Sequence, residues 1–273
     1  MIGDRVGLAT TDSIAHLELS RPEARNAMDP AFVEEFGTAI HQVAADSSIR
    51  TLLITAQGPS FCVGGDLNYF SAHVDRHEEI LRWMVDHWHE VLGRLFTLDV
   101  PVVTAVKGGT AGGGLGPVWC ADHVIAAEST RMAGGFADIG LSGDGGASWH
   151  LPRYVGLRRA QAMILDNVPI DAATALDWGI VGAVVPDADL QAAAWEAARR
   201  FSRRSATAFS QAKRLLAASS GNSYLEHLQA EAEAIHVCAA ASDSVFGIRS
   251  FLAKERPVFT DPYPVQAVST GRG

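Results

Sequence analysis

The sequence predicts an α/β fold in which parallel strands alternate with helices, followed by a purely helical region. Two observations predict it. Short apolar runs alternate with longer segments of helical periodicity up to about residue 186, and no strand pattern follows Asp187. Because strands that alternate with helices form parallel sheets, we predict a core unit over residues 1–200 and a helical region over residues 201–273.

The elements of the first part are recognised by period and by helix-start signals. Asp29 and Pro30 are typical of an N-cap and a first helical position, so they predict a helix from Pro30 to about Ala45. A stripe of apolar residues at helical spacing predicts a second helix over Glu78–Leu98. The predicted strands are short apolar runs: His16–Leu19, Thr51–Thr55, Val102–Val106 and His123–Ala127.

The second part carries only helical patterns. The predicted helices are Ala188–Phe201, Ser205–Ala218, Ser223–Cys238 and Ser242–Lys254. They present more apolar residues than a small appendage can bury, namely Leu215, Leu216, Leu225, Leu228 and Ile235. We therefore expect a homotrimer or a dimer of trimers in which these faces are covered.

Composition narrows the class of protein. Of the 273 residues 48% are hydrophobic and 19% are charged, which is typical of a globular chain. The net charge of -9, without a long basic run, argues against a nucleic-acid partner. The three cysteines are widely spaced, and we see neither a signal peptide nor an apolar run that could span a membrane. We expect a soluble, cytoplasmic protein with no metal, although His73 and His77 are spaced as on one helix face.

Two glycine-rich turns follow predicted strands. The first is FCVGGD (residues 61–66) and the second is KGGTAGGGLG (residues 107–116), whose triple glycine opens a predicted helix to Cys120. Glycine lets a ligand approach bare backbone, and a helix start offers free N–H groups. Facing each other, the turns could give two N–H donors to one carbonyl oxygen. The alternative is that both are ordinary tight turns, and neither fits a P-loop or a serine-hydrolase elbow.

The combination of motifs resembles the crotonase (enoyl-CoA hydratase/isomerase) superfamily along nearly the whole chain. The motifs are RPEARNAMD (21–29), FCVGGDL (61–67), PVVTAVKGGTAGGGLGPVWCAD (101–122), IGLSGDGGASWHLPRYVG (139–156), DWGIVGAVVP (177–186) and FLAKERPVF (251–259). The resemblance implies a spiral of ββα turns with a C-terminal helical trimerisation region. It also implies an acyl-CoA thioester as substrate and no separate cofactor.

The resemblance also implies site residues. Gly65 and Gly113 match the two oxyanion-hole donors. Arg25 matches a CoA phosphate contact, and Lys254 and Arg256 match basic residues that reach CoA from a neighbouring subunit, although all three could be solvated surface charges. Four further residues of these motifs are predicted to bind substrate: Ala24, Val63, Asp66 and Leu67.

The sequence departs from the usual hydratase at its two catalytic glutamates. The matching positions hold Gly116 and Phe136, neither of which can transfer a proton, and we place Phe136 among the substrate-binding residues. Asp144 is the remaining carboxylate in a matching motif, and in an apolar pocket it could shuttle a proton. Alternatively it is the N-cap of the following helix. Relatives of this pattern resemble isomerases of enoyl-CoA or ring-type acyl-CoA, which is the activity we favour.

Other activities stay open. In 4-chlorobenzoyl-CoA dehalogenase an aspartate at the place of Asp144 attacks the aromatic ring, and a histidine at the place of His89 activates water. That enzyme supports its aspartate with a tryptophan where this chain has Phe136, and His89 could be an ordinary interfacial histidine. A hydratase, an acyl-CoA thioesterase that uses Asp144, and a non-catalytic acyl-CoA binding protein are the remaining alternatives.

Overall fold

A computed structural model describes residues 2–263 as a mixed α/β structure. Nine strands lie in two sheets. They are β1 (Val6–Thr11), β2 (Ile14–Leu19), β3 (Thr51–Ala56), β4 (Val102–Val106), β5 (Gly109–Ala111), β6 (His123–Ala127), β7 (Arg131–Ala133), β8 (Ile170–Asp171) and β9 (Ala183–Val185). The larger sheet has the order β1-β2-β3-β4-β6-β9, and the smaller one has the order β5-β7-β8.

Helices connect the strands and then follow one another from Leu190 to Leu252. They are α1 (Pro30–Ala45), α2 (Leu67–Ala72), α3 (His77–Thr97), α4 (Gly116–Trp119), α5 (Ala147–Val155), α6 (Leu157–Ile164), α7 (Ala172–Asp177), α8 (Leu190–Ser202), α9 (Ala206–Ala218), α10 (Tyr224–Ala240) and α11 (Ser242–Leu252). Within the described range, no helix is long and apolar enough to cross a membrane.

The large sheet is parallel apart from its first strand. β2, β3, β4, β6 and β9 pair in parallel, as the strand and helix alternation predicts. Neither β1 nor β9 was predicted, and β1 pairs antiparallel with β2. Asp12 and Ser13 form the turn between them in the left-handed backbone region, with φ values of 51° and 60°.

Both faces of the large sheet are covered. On one face, α1 and α3 pack against the strands through Phe36, Ile40, Trp88 and Leu95. On the other face, the small residues of α8 lie on the central strands, in a cluster with Leu53, Val103 and Ile125. This packing explains why the central strands read as continuous apolar runs.

The predicted helices differ from the observed ones mainly at their ends. The helix expected from Ala188 begins at Leu190, because Asp187–Asp189 form a 3-10 turn. The helix expected after the triple glycine is split into a 3-10 segment over Gly112–Leu115 and the short α4. Two ion pairs connect helix α9 to the core unit of the same chain: Arg214 binds Asp99 at 2.8 Å, and Lys213 binds Asp122 at 2.7 Å.

Candidate active site

The two glycine-rich turns lie side by side because their backbones are bridged. Cys62 pairs with Thr110, and the Ala111 N–H donates to the Cys62 carbonyl oxygen at 2.9 Å. Gly64 has a φ of 87°, and a Cβ atom there would come within 2.9 Å of the Ala111 oxygen. Glycine at this position therefore allows the close approach of the two turns.

Gly65 and Gly113 line one cavity of about 130 Å³. The residues on either side of Gly65 both hydrogen-bond to Met28. The Met28 N–H donates to the Gly64 oxygen at 2.8 Å, and the Asp66 N–H donates to the Met28 oxygen at 2.9 Å. These bonds do not use the N–H of Gly65 itself. Gly113 lies in the first turn of a 3-10 helix, where N–H groups lack a partner within the helix. Two backbone donors at one cavity are suited to stabilising an oxyanion.

The remaining cavity wall is apolar except at one point. It is formed by residues of the first turn, α2, α3 and the segment before α5: Val63, Leu67, Phe70, Leu81, Met84, Val85, Phe136, Ile139 and Leu141. Val63, Leu67 and Phe136 are thus placed beside Gly65 and Gly113. Among the described residues that line this cavity, Asp144 alone carries an ionisable side chain.

Asp144 is half-buried, and its Oδ1 atom has no hydrogen-bond partner within residues 2–263. Burial raises the pKa of the carboxyl above its ordinary value, and nearby His89 opposes that rise only in part. The N-cap interpretation is wrong for its side chain, because the N-cap of α5 is Gly146 and no side chain caps this helix. A carboxylate with a raised pKa and a free oxygen can accept and return a proton.

His89 lies next to the Asp144 loop but outside the cavity. Its Nε2 atom accepts the N–H of Gly145 at 3.2 Å, which places the proton of a neutral ring on Nδ1. The side chain is exposed in the single chain, and it lines a neighbouring cavity of about 310 Å³ together with Gly145 and His150. The Gly145 backbone therefore lies between His89 and the cavity that holds Asp144.

Trp88 is a site residue that the sequence analysis missed. Its side chain is buried, with 1% exposed, and its indole N–H donates to the Gly113 carbonyl oxygen at 3.1 Å. The ring also packs edge-on against Phe32 and Phe36. A buried indole N–H needs a hydrogen-bond partner, but the helical spacing of the apolar stripe by itself predicts only a core position for this residue.

The two positions matched to glutamates are filled by packing. A Cβ atom on Gly116 would come within 2.7 Å and 2.8 Å of the two Leu92 methyl carbons, and Leu92 is itself 6% exposed. The Phe136 ring lies against the backbone of Gly112 and Gly143, whose Cβ positions would be 3.5 Å and 3.4 Å from it. Neither position offers a group that can transfer a proton to the cavity.

The RPEARN segment is fixed by Asn26, which was also missed. Asn26 is fully buried, and its amide donates to the carbonyl oxygens of Gln57 and Ser60 at 3.1 Å and 3.0 Å. Asn26 has a φ of 55°, a conformation that asparagine tolerates better than most residues. Arg25 is exposed, and neither it nor Ala24 lines the cavity.

The other predicted contacts lie away from the cavity. The Asp66 carboxylate is 5% exposed and is used inside the protein: it caps α2 through the N–H groups of Asn68 and Tyr69, and it accepts from Arg21. Lys254 and Arg256 are exposed beyond the end of α11 and do not line the cavity of their own chain. A contact between these two residues and CoA of a neighbouring subunit stays a prediction.

Comparison with known proteins identifies the relatives of this arrangement. The sequence profile of the enoyl-CoA hydratase/isomerase family matches residues 9–262. The 1,2-epoxyphenylacetyl-CoA isomerase of Escherichia coli is 32% identical over 89% of this chain and 94% of its own. A 4-chlorobenzoyl coenzyme A dehalogenase of Arthrobacter is 29% identical over 71% of each chain. The crystal structure of an enoyl-CoA hydratase from Polaromonas is 28% identical, with a TM-score of 0.88 over 92% of this chain and 98% of that one. These matches confirm the predicted fold class.

Proposed function

The chain belongs to the enoyl-CoA hydratase/isomerase family, and on that premise we propose that it isomerises an enoyl-CoA or ring-type acyl-CoA thioester with one carboxylate, that of Asp144. One observation carries the proposal. Asp144 is the ionisable side chain of the cavity that also holds Gly65 and Gly113. The two positions that would hold the glutamates of a hydratase are Gly116 and Phe136.

The proposed reaction needs no group beyond these. The thioester oxygen accepts hydrogen bonds from the N–H groups of Gly65 and Gly113. Asp144 removes a proton from one carbon of the acyl group, and the resulting negative charge moves onto the thioester oxygen. The same carboxyl then returns the proton to another carbon, so the double bond shifts and the enzyme ends as it began.

The wall of the cavity supports an apolar acyl group as the substrate. Phe70, Leu81, Met84, Ile139 and Leu141 surround the space beside Asp144. A charged or hydroxylated acyl chain would lose its hydration there without gaining partners, which is costly. The isomerase named among the relatives, which is 32% identical, supports the same reaction type.

Hydrolysis by attack of Asp144 is the second candidate. The observation that favours it is the hydrogen bond between Gly145 and His89 Nε2, which holds the imidazole one residue from Asp144. Against it, Phe136 packs beside the cavity and cannot donate a hydrogen bond to the aspartate. Release of chloride from 4-chlorobenzoyl-CoA, or of free CoA from any thioester, separates this candidate from isomerisation.

The test is exchange of solvent deuterium into the acyl chain. In D₂O, the wild-type protein should introduce deuterium into a substrate from an enoyl-CoA and aryl-acetyl-CoA panel, or shift its double bond, as read by mass spectrometry. Asp144→Asn should lose this activity and still bind the acyl-CoA by calorimetry. Asp138→Asn is the matched control, because Asp138 is exposed and bonded to Asn167. Fast hydration of crotonyl-CoA that survives Asp144→Asn would contradict the proposal.

A further inference from the structure

A buried pair of aspartates shares one guanidinium beside the candidate active site. Arg21 Nη1 lies 2.8 Å from Asp66 Oδ2 and 3.2 Å from Asp29 Oδ2. Both aspartates are 5% exposed. Each also caps a helix through its other oxygen, Asp29 through the N–H of Phe32 and Asp66 through those of Asn68 and Tyr69.

This cluster lies on both sides of the backbone bridge that holds Gly65. Asp29 follows Met28 in the chain and Asp66 follows Gly65, and Met28 pairs with Gly65. The bonds of the bridge run from the Met28 N–H to the Gly64 oxygen at 2.8 Å and from the Asp66 N–H to the Met28 oxygen at 2.9 Å. Arg21 therefore connects the two residues that immediately follow the bridged pair.

Removal of the Arg21 guanidinium would leave the Asp66 carboxylate without its cation, whereas Asp29 would keep Arg5. A buried charge without a partner is costly, so Asp66 would move to find water or another donor. Because the Asp66 N–H is part of the bridge to Met28, this movement would turn the backbone at Gly65. An oxyanion donor must be held to within about 0.5 Å of its productive position, so a small rotation of this peptide is enough to weaken it.

We propose that Arg21 is a positioning residue that sets the direction of the Gly65 N–H through the ion pair with Asp66. The inference rests on the proposed function, because it assumes that Gly65 binds the thioester oxygen. Arg21 does not line the cavity, so its effect is transmitted through the Asp66 and Met28 backbone.

The chain offers a matched control for this role. Arg5 also binds Asp29, through Nε at 3.0 Å and Nη2 at 2.9 Å. Within residues 2–263, the Arg5 side chain bonds to Asp29 and not to Asp66. Arg5→Leu removes a cation from the same cluster and leaves the Arg21–Asp66 pair in place, whereas Arg21→Leu removes that pair.

The experiment measures polarisation of the thioester carbonyl directly. Hexanoyl-CoA carrying ¹³C at the carbonyl is bound to each protein, and the carbonyl stretch is read by isotope-edited infrared difference spectroscopy. The wild-type protein and Arg5→Leu should lower the frequency relative to solution, and Arg21→Leu should lose part of that shift. Arg21→Lys, which keeps the charge, should recover part of it. With an active substrate, Arg21→Leu should lower kcat about 10-fold to 100-fold and change KM less.

The possible results distinguish the positioning role of Arg21 from the proposed function on which it rests. If wild-type protein leaves the carbonyl frequency unchanged, the proposed function fails and this inference fails with it. If Arg21→Leu is folded and keeps the full shift and full kcat, only the inference is overturned. Should Arg21→Leu fail to fold, Asp66→Asn tests the same pair, since its amide oxygen can still cap α2. A full shift in Asp66→Asn would equally overturn the inference.

Discussion

Asp144 combines two properties that oppose each other in a single side chain. Its carboxyl is half-buried, and one oxygen has no partner in the described structure. Burial of a carboxylate without a fixed partner lowers the stability of the folded protein, because the charged form is poorly solvated. The same condition raises the pKa and leaves an oxygen free for a proton. The residue is therefore expected to trade stability for reactivity.

We predict that Asp144→Asn stabilises the protein near pH 7, by about 0.5–2 kcal/mol as single stabilising changes do. Because the folded-state pKa of Asp144 is raised, protonation of this carboxyl favours the folded state. Its contribution to stability is fully present below the unfolded-state pKa. That contribution is lost as the pH rises through the folded pKa. The advantage of Asp144→Asn should therefore disappear below about pH 3.9. Urea unfolding at several pH values measures it, and an equal or lower stability at pH 7 would contradict it.

Gly113 is a cavity residue at which an added side chain would come close to Asp144. A Cβ atom there would lie 3.2 Å from Asp144 Oδ1 and 3.5 Å from the Met28 sulfur. We predict that Gly113→Val folds but lowers kcat by about 10²–10³-fold, since it crowds the thioester oxygen and disturbs one oxyanion donor. Gly93→Val is the control, because nothing lies within 4 Å of a Cβ atom on Gly93. Full kcat in a folded Gly113→Val protein would show that the oxyanion assignment is wrong.

At the scale of elements, α3 serves both loops of the site. Trp88 donates to Gly113 in the glycine turn, and the next residue, His89, accepts from Gly145 beside Asp144. Adjacent residues of a helix point about 100° apart, so one helix can contact two separate loops. Helix α3 therefore links the glycine turn that contains Gly113 to the loop that contains Asp144.

We predict that Trp88→Phe lowers kcat about 10-fold with little change in KM. The aromatic packing on Phe32 and Phe36 is largely kept, but the hydrogen bond to the Gly113 oxygen is lost and the glycine turn is held less firmly. The free energy of unfolding of Trp88→Phe should also be about 1–2 kcal/mol lower than that of the wild-type protein. Trp83→Phe on the same helix is the control, because Trp83 stacks on His87 and does not line the cavity. An unchanged kcat in Trp88→Phe would show that the hydrogen bond from the indole N–H to Gly113 does not support the reaction.

The elements that could be predicted from sequence are long helices with a clear apolar period and strands made of a continuous buried apolar run. α1 begins and ends where the Asp29–Pro30 signal and the apolar period place it, and β4 and β6 match their buried runs. β1 was missed because its second half is exposed and reads as a polar turn. The three strands of the small sheet have two or three residues each, too few for any period to appear.

The site divides in the same way. Gly65 and Gly113 were predicted as backbone donors by the resemblance of their motifs to the family, and the structure brings both to one cavity. Trp88, Asn26 and Arg21 could not be predicted, since each acts through a partner that is distant in sequence and close only in the folded chain. Their residue types alone predict a core aromatic, a turn and a surface charge.

At the scale of the whole molecule, the C-terminal helices leave a large apolar surface. The exposed large side chains of α10 and α11 include Tyr224, Leu225, Ile235, Ile248, Phe251 and Leu252, each more than half exposed. Many exposed large apolar side chains on two neighbouring helices of a single chain are typical of an interface. They lie in the region for which the sequence predicts assembly.

We predict that the 29.0 kDa chain forms a homotrimer or a dimer of trimers. Multi-angle light scattering should give a mass near three or six times that of one chain. Ile248→Asp, which places a charge on the exposed face of α11, should lower that mass. A monomeric mass at micromolar concentration for the wild-type protein would contradict the prediction.

The contact between Gly116 and Leu92 has a consequence for introducing a carboxylate at position 116. A Cβ atom at position 116 would meet the two terminal methyl carbons of Leu92, so substitutions at the two positions are expected to be coupled. A glutamate at position 116 would require the Leu92 methyl groups to shift, a movement that a smaller residue at position 92 would make unnecessary. Laboratory evolution toward water addition should accordingly select Leu92→Ala before, or together with, Gly116→Glu.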